Sequence, residues 1–293
     1  MSNSEEIRDF LVSRRSRIAP EHAGLPAYGA KRRVPGLRRE EVALLAGISV
    51  EYYTRLERGN GRGMSESVLE GIVRALQLDD AERAHLSDLV RTANTTRPPR
   101  RRLAQHRVRQ NVQRILDSMI GTPAYVQNGR LDVLYANELG RALFPYLGSD
   151  DATTANAARF VFLDPAASDF FKQWDKTAND VVALLRAEAG RDPYDRELSD
   201  LVGELSTRSE DFRVRWAAHN VKFHRTGVKK YHHAEVGDLT LTYEALELPE
   251  DPGQTIFVYM AEPHSASQEA LKLLASWTTT PAHASTAQLD DGT

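Results

Sequence analysis

The spacing of apolar residues divides the chain into a helical first part and a mixed second part. Up to about residue 93, apolar positions recur at intervals of three and four residues, which predicts five helices. The first three are expected at about 5–18, 37–46 and 50–58. The fourth is expected to follow a capping Ser65, and the fifth a capping box that begins at Asp79.

The second part mixes helical and alternating patterns. An amphipathic helix at about 108–119 precedes two β-prone runs, 124–127 and 131–135, and Asn128-Gly129 between them predicts a hairpin with a two-residue turn. Further helices are predicted at about 136–144, 164–171, 176–189, 195–205, 210–219 and 267–276, and strands at about 229–235, 239–246 and 255–261. Strands at both ends of a helical middle predict an antiparallel sheet wrapped by helices, an α+β domain.

Composition places the boundaries between these parts. Pro98-Pro99 and the basic run after it cannot continue a helix, so we predict a linker at 94–105 between domains at 1–93 and 106–277. The polar residues 278–293 are expected to form a disordered tail.

Charge is distributed unevenly between the two parts. Residues 1–110 contain 21 Lys+Arg against 14 Asp+Glu, whereas the remainder contains 17 against 27. A basic first domain favours a phosphate-bearing partner. The chain has no cysteine, a polar N-terminus and no long apolar run, which predicts a cytoplasmic protein without a membrane span or a bound cofactor.

The second and third helices have the pattern of a helix-turn-helix. Gly47 between them can adopt positive φ, and Ser49 can cap the third helix. Tyr53 and Leu56 are expected to face the core, and Glu57 to pair with a nearby arginine. The outer side then carries Val50, Glu51, Thr54, Arg55 and Arg58. This arrangement predicts a helix that enters the major groove of double-stranded DNA.

The residues from Leu37 to Gly59, with a Tyr-Tyr pair and the ending Leu-Glu-Arg-Gly, resemble the helix-turn-helix of the Xre family. The resemblance implies base contacts by Val50 to a thymine methyl, by Glu51 to cytosine and by Arg55 to guanine. It also implies a homodimer on a pseudo-palindromic operator. Phosphate and other DNA contacts are expected from Ser49, Tyr52, Thr54, Arg58, Arg38, Arg39, Arg62, Arg32 and Arg33.

The second domain carries its own resemblance. The hairpin followed by Tyr135-Ala136-Asn137 looks like the start of a PAS-type sensor fold, and the runs 216–221, 236–239 and 261–263 are similar to the ligand-binding domain of MmyB-like regulators. That family implies a PAS-like body that accommodates a small, apolar or fatty-acid-like effector. The candidate pocket residues are Tyr135, Phe144, Trp174, Trp216, His219, Phe223 and Tyr243.

Three alternatives to a small-molecule sensor remain open. The second domain could dock a protein partner, which a flat exposed apolar patch would favour. An enzyme is less well supported, because we find no nucleophile elbow, phosphate loop or dinucleotide fingerprint. A metal site is disfavoured although His219, His224, His232 and His233 are close in sequence, since adjacent histidines on a strand point to opposite faces.

Overall fold

The structure is a computed structural model that describes residues 3–25, 36–94, 107–147, 155–218 and 226–278. Nearly all of the predicted linker and tail, together with Arg32, Arg33, His219, Phe223 and His224, lie outside the described residues.

Five α-helices form the N-terminal part, as predicted, with a short 3-10 helix at Pro20–Ala23 after the first. They are α1 (Asn3–Arg17), α2 (Arg39–Ala46), α3 (Val50–Glu57), α4 (Glu66–Ala75) and α5 (Asp80–Asn94). The hydroxyl of Ser65 accepts from Val68 N–H at the start of α4, and Asp79 and Glu82 exchange hydrogen bonds at the start of α5. The predicted caps therefore fix these helix starts, and a shared apolar core joins the helices: Ile7, Phe10, Leu11, Val42, Tyr53, Leu56, Ile72 and Leu86.

The remaining elements comprise eight α-helices and five strands in the described part of the chain. The helices are α6 (Gln110–Asp117), α7 (Glu138–Leu143), α8 (Ala157–Leu163), α9 (Ala166–Phe170), α10 (Trp174–Arg191), α11 (Arg196–Arg208), α12 (Glu210–Ala217) and α13 (Ala266–Thr278). The strands are β1 (Ala124–Asn128), β2 (Val133–Ala136), β3 (Thr226–His233), β4 (Gly237–Glu247) and β5 (Gln254–Met260). They pair antiparallel in the order β2-β1-β5-β4-β3, so the C-terminal region is an α+β fold as predicted.

The sequence pattern was wrong about the first hairpin turn. The loop between β1 and β2 has four residues rather than two, and Leu131, not Gly129, takes positive φ (66°). The reason is the Asn128 side chain, whose Oδ1 accepts from the backbone N–H groups of Arg130 and Asp132 at 3.0 Å each and so closes a wider turn. Helix α8 was also missed, because its apolar run is short and lacks a polar face. The sequence pattern also did not identify Asn156 as its N-terminal cap.

The described residues form two compact units, and each unit is built from three separate stretches of the chain. The first unit comprises the described residues within 1–104, 161–163 and 175–224, and the second comprises those within 105–160, 164–174 and 225–293. Helices α10 to α12 therefore pack with the five N-terminal helices, although the predicted second domain ran unbroken from 106 to 277. Among the described residues, the regular elements of the first unit are helices, and the five strands lie in the second unit.

The sheet of the second unit has two different faces. Alternation along β4 directs Leu239, Leu241 and Tyr243 inward, as predicted. On the opposite face α6 packs over β1, β2 and β5 through Val112 and Leu116. The inner face is lined by aromatic rings, which are described below.

Candidate functional site

A tight turn fixes the angle between α2 and α3. Gly47 ends α2 with φ 69°, and its N–H bonds back to α2 carbonyl groups. Ser49 then caps α3 by accepting a hydrogen bond from Tyr52 N–H at 3.1 Å. On the other side of α2, Gly71 of α4 lies so close to the Ala46 carbonyl that a Cβ there would stand 2.4 Å from its oxygen. Helix α3 is thus fixed at its start by the turn, and α2 is held closely against α4.

The outer side of α3 is exposed to solvent. Tyr53 and Leu56 are fully buried, as predicted, whereas Val50, Glu51 and Arg55 are exposed. The Arg55 guanidinium lies over the Tyr52 ring at 4.6 Å, a cation–π contact that limits the rotamers of both side chains. The three predicted base-reading residues therefore share one exposed side of one helix, with Thr54 half-buried and Arg58 exposed beside them.

A buried carboxylate at the end of α3 organises two arginines. The Glu57 side chain is 1% exposed and accepts from Arg15 of α1 at 2.5 Å and from Arg39, the first residue of α2. Arg15 also donates to the Leu37 carbonyl at 2.7 Å. This is the pairing expected of Glu57, and it leaves half of the Arg39 side chain exposed at the start of α2. The bond to Glu57 therefore fixes the position of the half-exposed Arg39 side chain.

The other predicted phosphate contacts vary in how firmly they are held. Arg38 is exposed and pairs loosely with Glu40 at 3.3 Å, and exposed Arg62 donates to the Ala93 carbonyl at 3.3 Å. Such side chains can turn toward a phosphate at little cost because surface pairs contribute little to stability. Arg32 and Arg33 lie outside the described residues.

The inner face of the sheet forms an aromatic cluster in the second unit. Tyr125 of β1, Tyr231 of β3 and Tyr259 of β5 are buried, and the ring of Phe144, which follows α7, contacts all three at centroid distances of 5.0–5.8 Å. The aromatic cluster, as we use the term, consists of Tyr125, Phe144, Tyr146, Phe160, Phe170, Phe171, Tyr231, Tyr243, Phe257 and Tyr259.

Tyrosine hydroxyls meet inside this cluster. The Tyr125 and Tyr259 hydroxyl oxygens are 3.1 Å apart, and burial raises the pKa of Tyr125, Tyr231 and Tyr259. These phenols therefore stay protonated at neutral pH and can donate hydrogen bonds. An apolar lining with a few converging polar groups is the usual composition of a small-molecule site.

Two of the seven predicted pocket residues come together among the described residues of the second unit. Phe144 and Tyr243 belong to the aromatic cluster, whereas Tyr135 pairs with Val126 on the α6 side of the sheet and its hydroxyl donates to Asp117 at 2.7 Å. Trp216 lies in the first unit, and Trp174 is the first residue of α10. His219 and Phe223 lie outside the described residues.

Sequence reasoning missed most of the tyrosines in the cluster. Tyr125, Tyr231 and Tyr259 lie on separate strands, and the alternation of those strands, read as it was for β4, would have placed them on the inner face. Tyr146 follows α7 in a short 3-10 helix and had no such pattern.

The described residues contain no group of three or more His, Cys, Asp or Glu side chains that could hold a metal ion. Within the same residues, no helix is both long and apolar enough to cross a membrane. The side chain of His232 is exposed and that of His233 is buried. The two therefore point to opposite faces of the strand, as expected of neighbours.

The helix-turn-helix of the N-terminal part and the α+β fold of the C-terminal region together define a class of protein. It is a transcription regulator that joins a DNA-binding helix-turn-helix domain to a ligand-binding domain. The chain matches the family model of the MmyB-like transcription regulator ligand binding domain over residues 108–274 and that of a helix-turn-helix domain over residues 14–86. The first match covers more than half of the 293 residues, and the chain belongs to the MmyB-like transcription regulators. No curated protein matches the chain.

Proposed function

We propose that this protein is a homodimeric, sequence-specific transcription regulator of the Xre type that acts in the cytoplasm and responds to a small apolar effector. The observation that carries the proposal is the exposed side of α3, which stands free beside an arginine already positioned by Glu57. The two matched domains, one DNA-binding and one ligand-binding, agree with it.

The proposed DNA contacts divide into reading and positioning contacts. Val50, Glu51 and Arg55 read base edges in the major groove, with Arg55 bidentate to a guanine. The positioning contacts are made to the backbone and carry no sequence information of their own. They are proposed for Ser49, Tyr52, Thr54, Arg58, Arg38, Arg39, Arg62, Arg32 and Arg33.

The second unit is proposed to be PAS-like and to hold the effector against the aromatic cluster. The strand order β2-β1-β5-β4-β3, in which the first hairpin and the last three strands form one sheet, supports this assignment. The rings provide an apolar wall for an acyl chain, and the Tyr125 and Tyr259 hydroxyls can donate to a carbonyl or carboxyl head group. A fatty-acid-like molecule has both parts.

The test is operator selection from genomic DNA, followed by affinity measurements at several salt concentrations for wild type and Arg55→Ala. If the six arginines proposed as positioning contacts each neutralise one phosphate in both DNA-binding domains of a dimer, log affinity falls with log salt with a slope of about −11. Arg55→Ala should cost about 1–3 kcal/mol on the selected operator, relax one base position and leave that slope unchanged.

Arg208→Ala is the matched control, since Arg208 on α11 is exposed and pairs with Glu204 four residues away. It should change neither affinity nor specificity. A uniform loss over all sequences with a shallower slope would make Arg55 a phosphate contact. A slope near −5 would indicate that a single DNA-binding domain contacts DNA, and no binding at low salt would contradict the proposed function.

A further inference from the structure

Helix α10 is joined to α1 by a buried ion pair within the first unit. Arg186 of α10 is fully buried; its Nη1 donates to the Glu6 carboxylate of α1 and its Nη2 to the Trp216 carbonyl of α12. The guanidinium also lies over the Trp216 ring at 4.1 Å. Burial lowers the pKa of Arg186 and Glu6 opposes that shift, and an arginine remains charged in either case. One side chain thus ties α10 to α1 and α12.

A second contact lies one turn further along α10. Gly190 faces the imidazole of His85 on α5 so closely that a Cβ there would stand 2.6 Å from the ring. The same His85 ring packs edge-on against Phe10 of α1 at 5.2 Å. Ala187, between these two positions, packs on the core of the N-terminal helices. Arg186, Ala187 and Gly190 therefore form the face by which α10 docks on α1 and α5.

The chemistry of this face suits a reversible contact better than a permanent one. A buried ion pair adds little net stability compared with an apolar pair of the same size, because both charges lose their hydration. Once α10 leaves, both charges regain water, whereas loss of one partner alone strands the other in the interior. The ion pair therefore makes the docked arrangement specific while adding little to its stability.

Helix α1 connects this face to the DNA-binding residues. Ser4, two residues before Glu6, donates from Oγ to the Gly59 carbonyl at 3.1 Å, just beyond the end of α3. Further along α1, Arg15 binds the Glu57 carboxylate that also holds Arg39. A shift of α1 would therefore disturb both the end of α3 and the anchored arginine.

We propose that the Glu6–Arg186 ion pair is a regulatory latch, by which the docking of α10 holds α1 and with it the DNA-binding helices in the DNA-competent arrangement. The latch rests on the DNA-binding function proposed above. Residues 175–218 lie within the matched ligand-binding domain in sequence but pack with the DNA-binding helices in space. They are the part of that domain in which a change of state would reach the α1 contacts directly.

The test uses the full-length protein and three charge-removing variants. Arg186→Met removes the buried cation that faces the Glu6 carboxylate, and Glu6→Gln, a nearly isosteric change, removes the carboxylate that faces the guanidinium. Glu6→Leu with Arg186→Met replaces the pair by apolar side chains. Hydrogen exchange of the α1 and α10 amides reports docking, and affinity for the selected operator reports its consequence.

The latch predicts that each single variant speeds amide exchange in α1 by roughly 100-fold and weakens operator binding by about tenfold. The double variant should restore both, because an apolar pair keeps α10 docked. Arg215→Met is the control: it removes an arginine that pairs with Asp175 at 2.6 Å inside the α10–α12 helices, and it should leave α1 exchange and operator affinity unchanged.

Several outcomes would overturn the latch. Unchanged α1 exchange in both single variants would show that the ion pair does not hold the docked face. Faster exchange with unchanged operator affinity would make the pair structural only, and so would a double variant that fails to restore binding. If wild type bound no DNA, the proposed function would fail while the exchange data still reported on docking.

Discussion

The surroundings of His85 make the stability of the folded protein depend on whether its ring is charged. The imidazole is almost fully buried, its Nε2 lies 3.8 Å from the Glu6 carboxylate, and neither ring nitrogen makes a hydrogen bond within the described part of the chain. Burial lowers the pKa of His85; Glu6 opposes this shift, whereas the neighbouring cations Arg186 and Arg14 add to it. At neutral pH the ring is therefore uncharged.

This environment predicts a loss of stability in mild acid. The unfolded chain takes up a proton on His85 near pH 6.5, and the folded chain does so only at lower pH, so stability falls as pH drops below about 6.5. Between pH 7.5 and 5.5 the free energy of unfolding should fall by more in wild type than in His85→Gln. Urea unfolding at both pH values measures the difference. An equal fall in the two proteins would show that His85 does not titrate on unfolding.

Other residues show how far local reasoning reaches. The buried and exposed sides of α3 follow from helical spacing alone, and the pairing of Glu57 followed from its place beside Leu56. Arg14 lies in the basic first domain, yet its side chain is buried against Glu82 at 2.7 Å, and burial lowers its pKa to about 10. Its partner is far away in sequence, so no local pattern could reveal it.

Among the elements, glycines mark where helices touch. Gly71 in α4 permits the close approach to the α2 carbonyl, while Gly203 in α11 has nothing within 4 Å of the position of a Cβ. Gly71→Ala should therefore destabilise the protein by about 1–3 kcal/mol through overpacking. Gly203→Ala, the matched change at an open helical site, should stabilise it by about 0.5–1 kcal/mol.

Chemical denaturation of both variants measures this contrast. Gly71→Ala should also weaken operator binding, because the displaced α2 carries Arg39 and orients α3. If the two variants changed stability in the same direction and to a similar extent, the contact between α2 and α4 would not be as close as the structure places it.

The predicted helix starts are confirmed where a side chain caps the backbone of its own helix. Ser49, Ser65 and the Asp79–Glu82 box cap their helices as expected, since capping depends on residues three positions apart. The hairpin turn failed because Asn128 bonds to two N–H groups of the loop, a choice that Asn-Gly spacing does not determine. The 3-10 helix at Pro20–Ala23 was not predicted.

For the whole molecule, packing joins elements that lie far apart in the chain. Helices α10 to α12 were predicted to belong to the second domain, and nothing in their spacing distinguishes a helix that packs on the sheet from one that packs on α1 and α5. Arg186 in particular reads as an exposed polar position until its partner Glu6, 180 residues away, is in place. The aromatic cluster was hidden for the same reason, because its tyrosines come from four strands and a short 3-10 helix that meet only in the folded domain.

The effector proposal yields a prediction that compares the two faces of that sheet. With dodecanoate as the probe, calorimetry should show binding to wild type and a loss of about tenfold in affinity for Tyr125→Phe or Tyr259→Phe, each of which removes one hydrogen-bond donor from the aromatic cluster. Tyr135→Phe is the matched control, since its hydroxyl bonds to Asp117 on the α6 side, and it should bind like wild type.

Thermodynamic linkage provides an independent check on the same measurement. If dodecanoate changes operator affinity by some factor, saturating operator must change dodecanoate affinity by that factor. The Tyr259→Phe protein should need about tenfold more dodecanoate to reach the same effect on DNA, with its operator affinity unaltered when no probe is present. An equal loss in Tyr135→Phe would place the effector on the α6 face. If dodecanoate bound without any effect on operator affinity, the aromatic cluster would be a binding site uncoupled from DNA, since a ligand shifts an equilibrium only by binding its two states unequally.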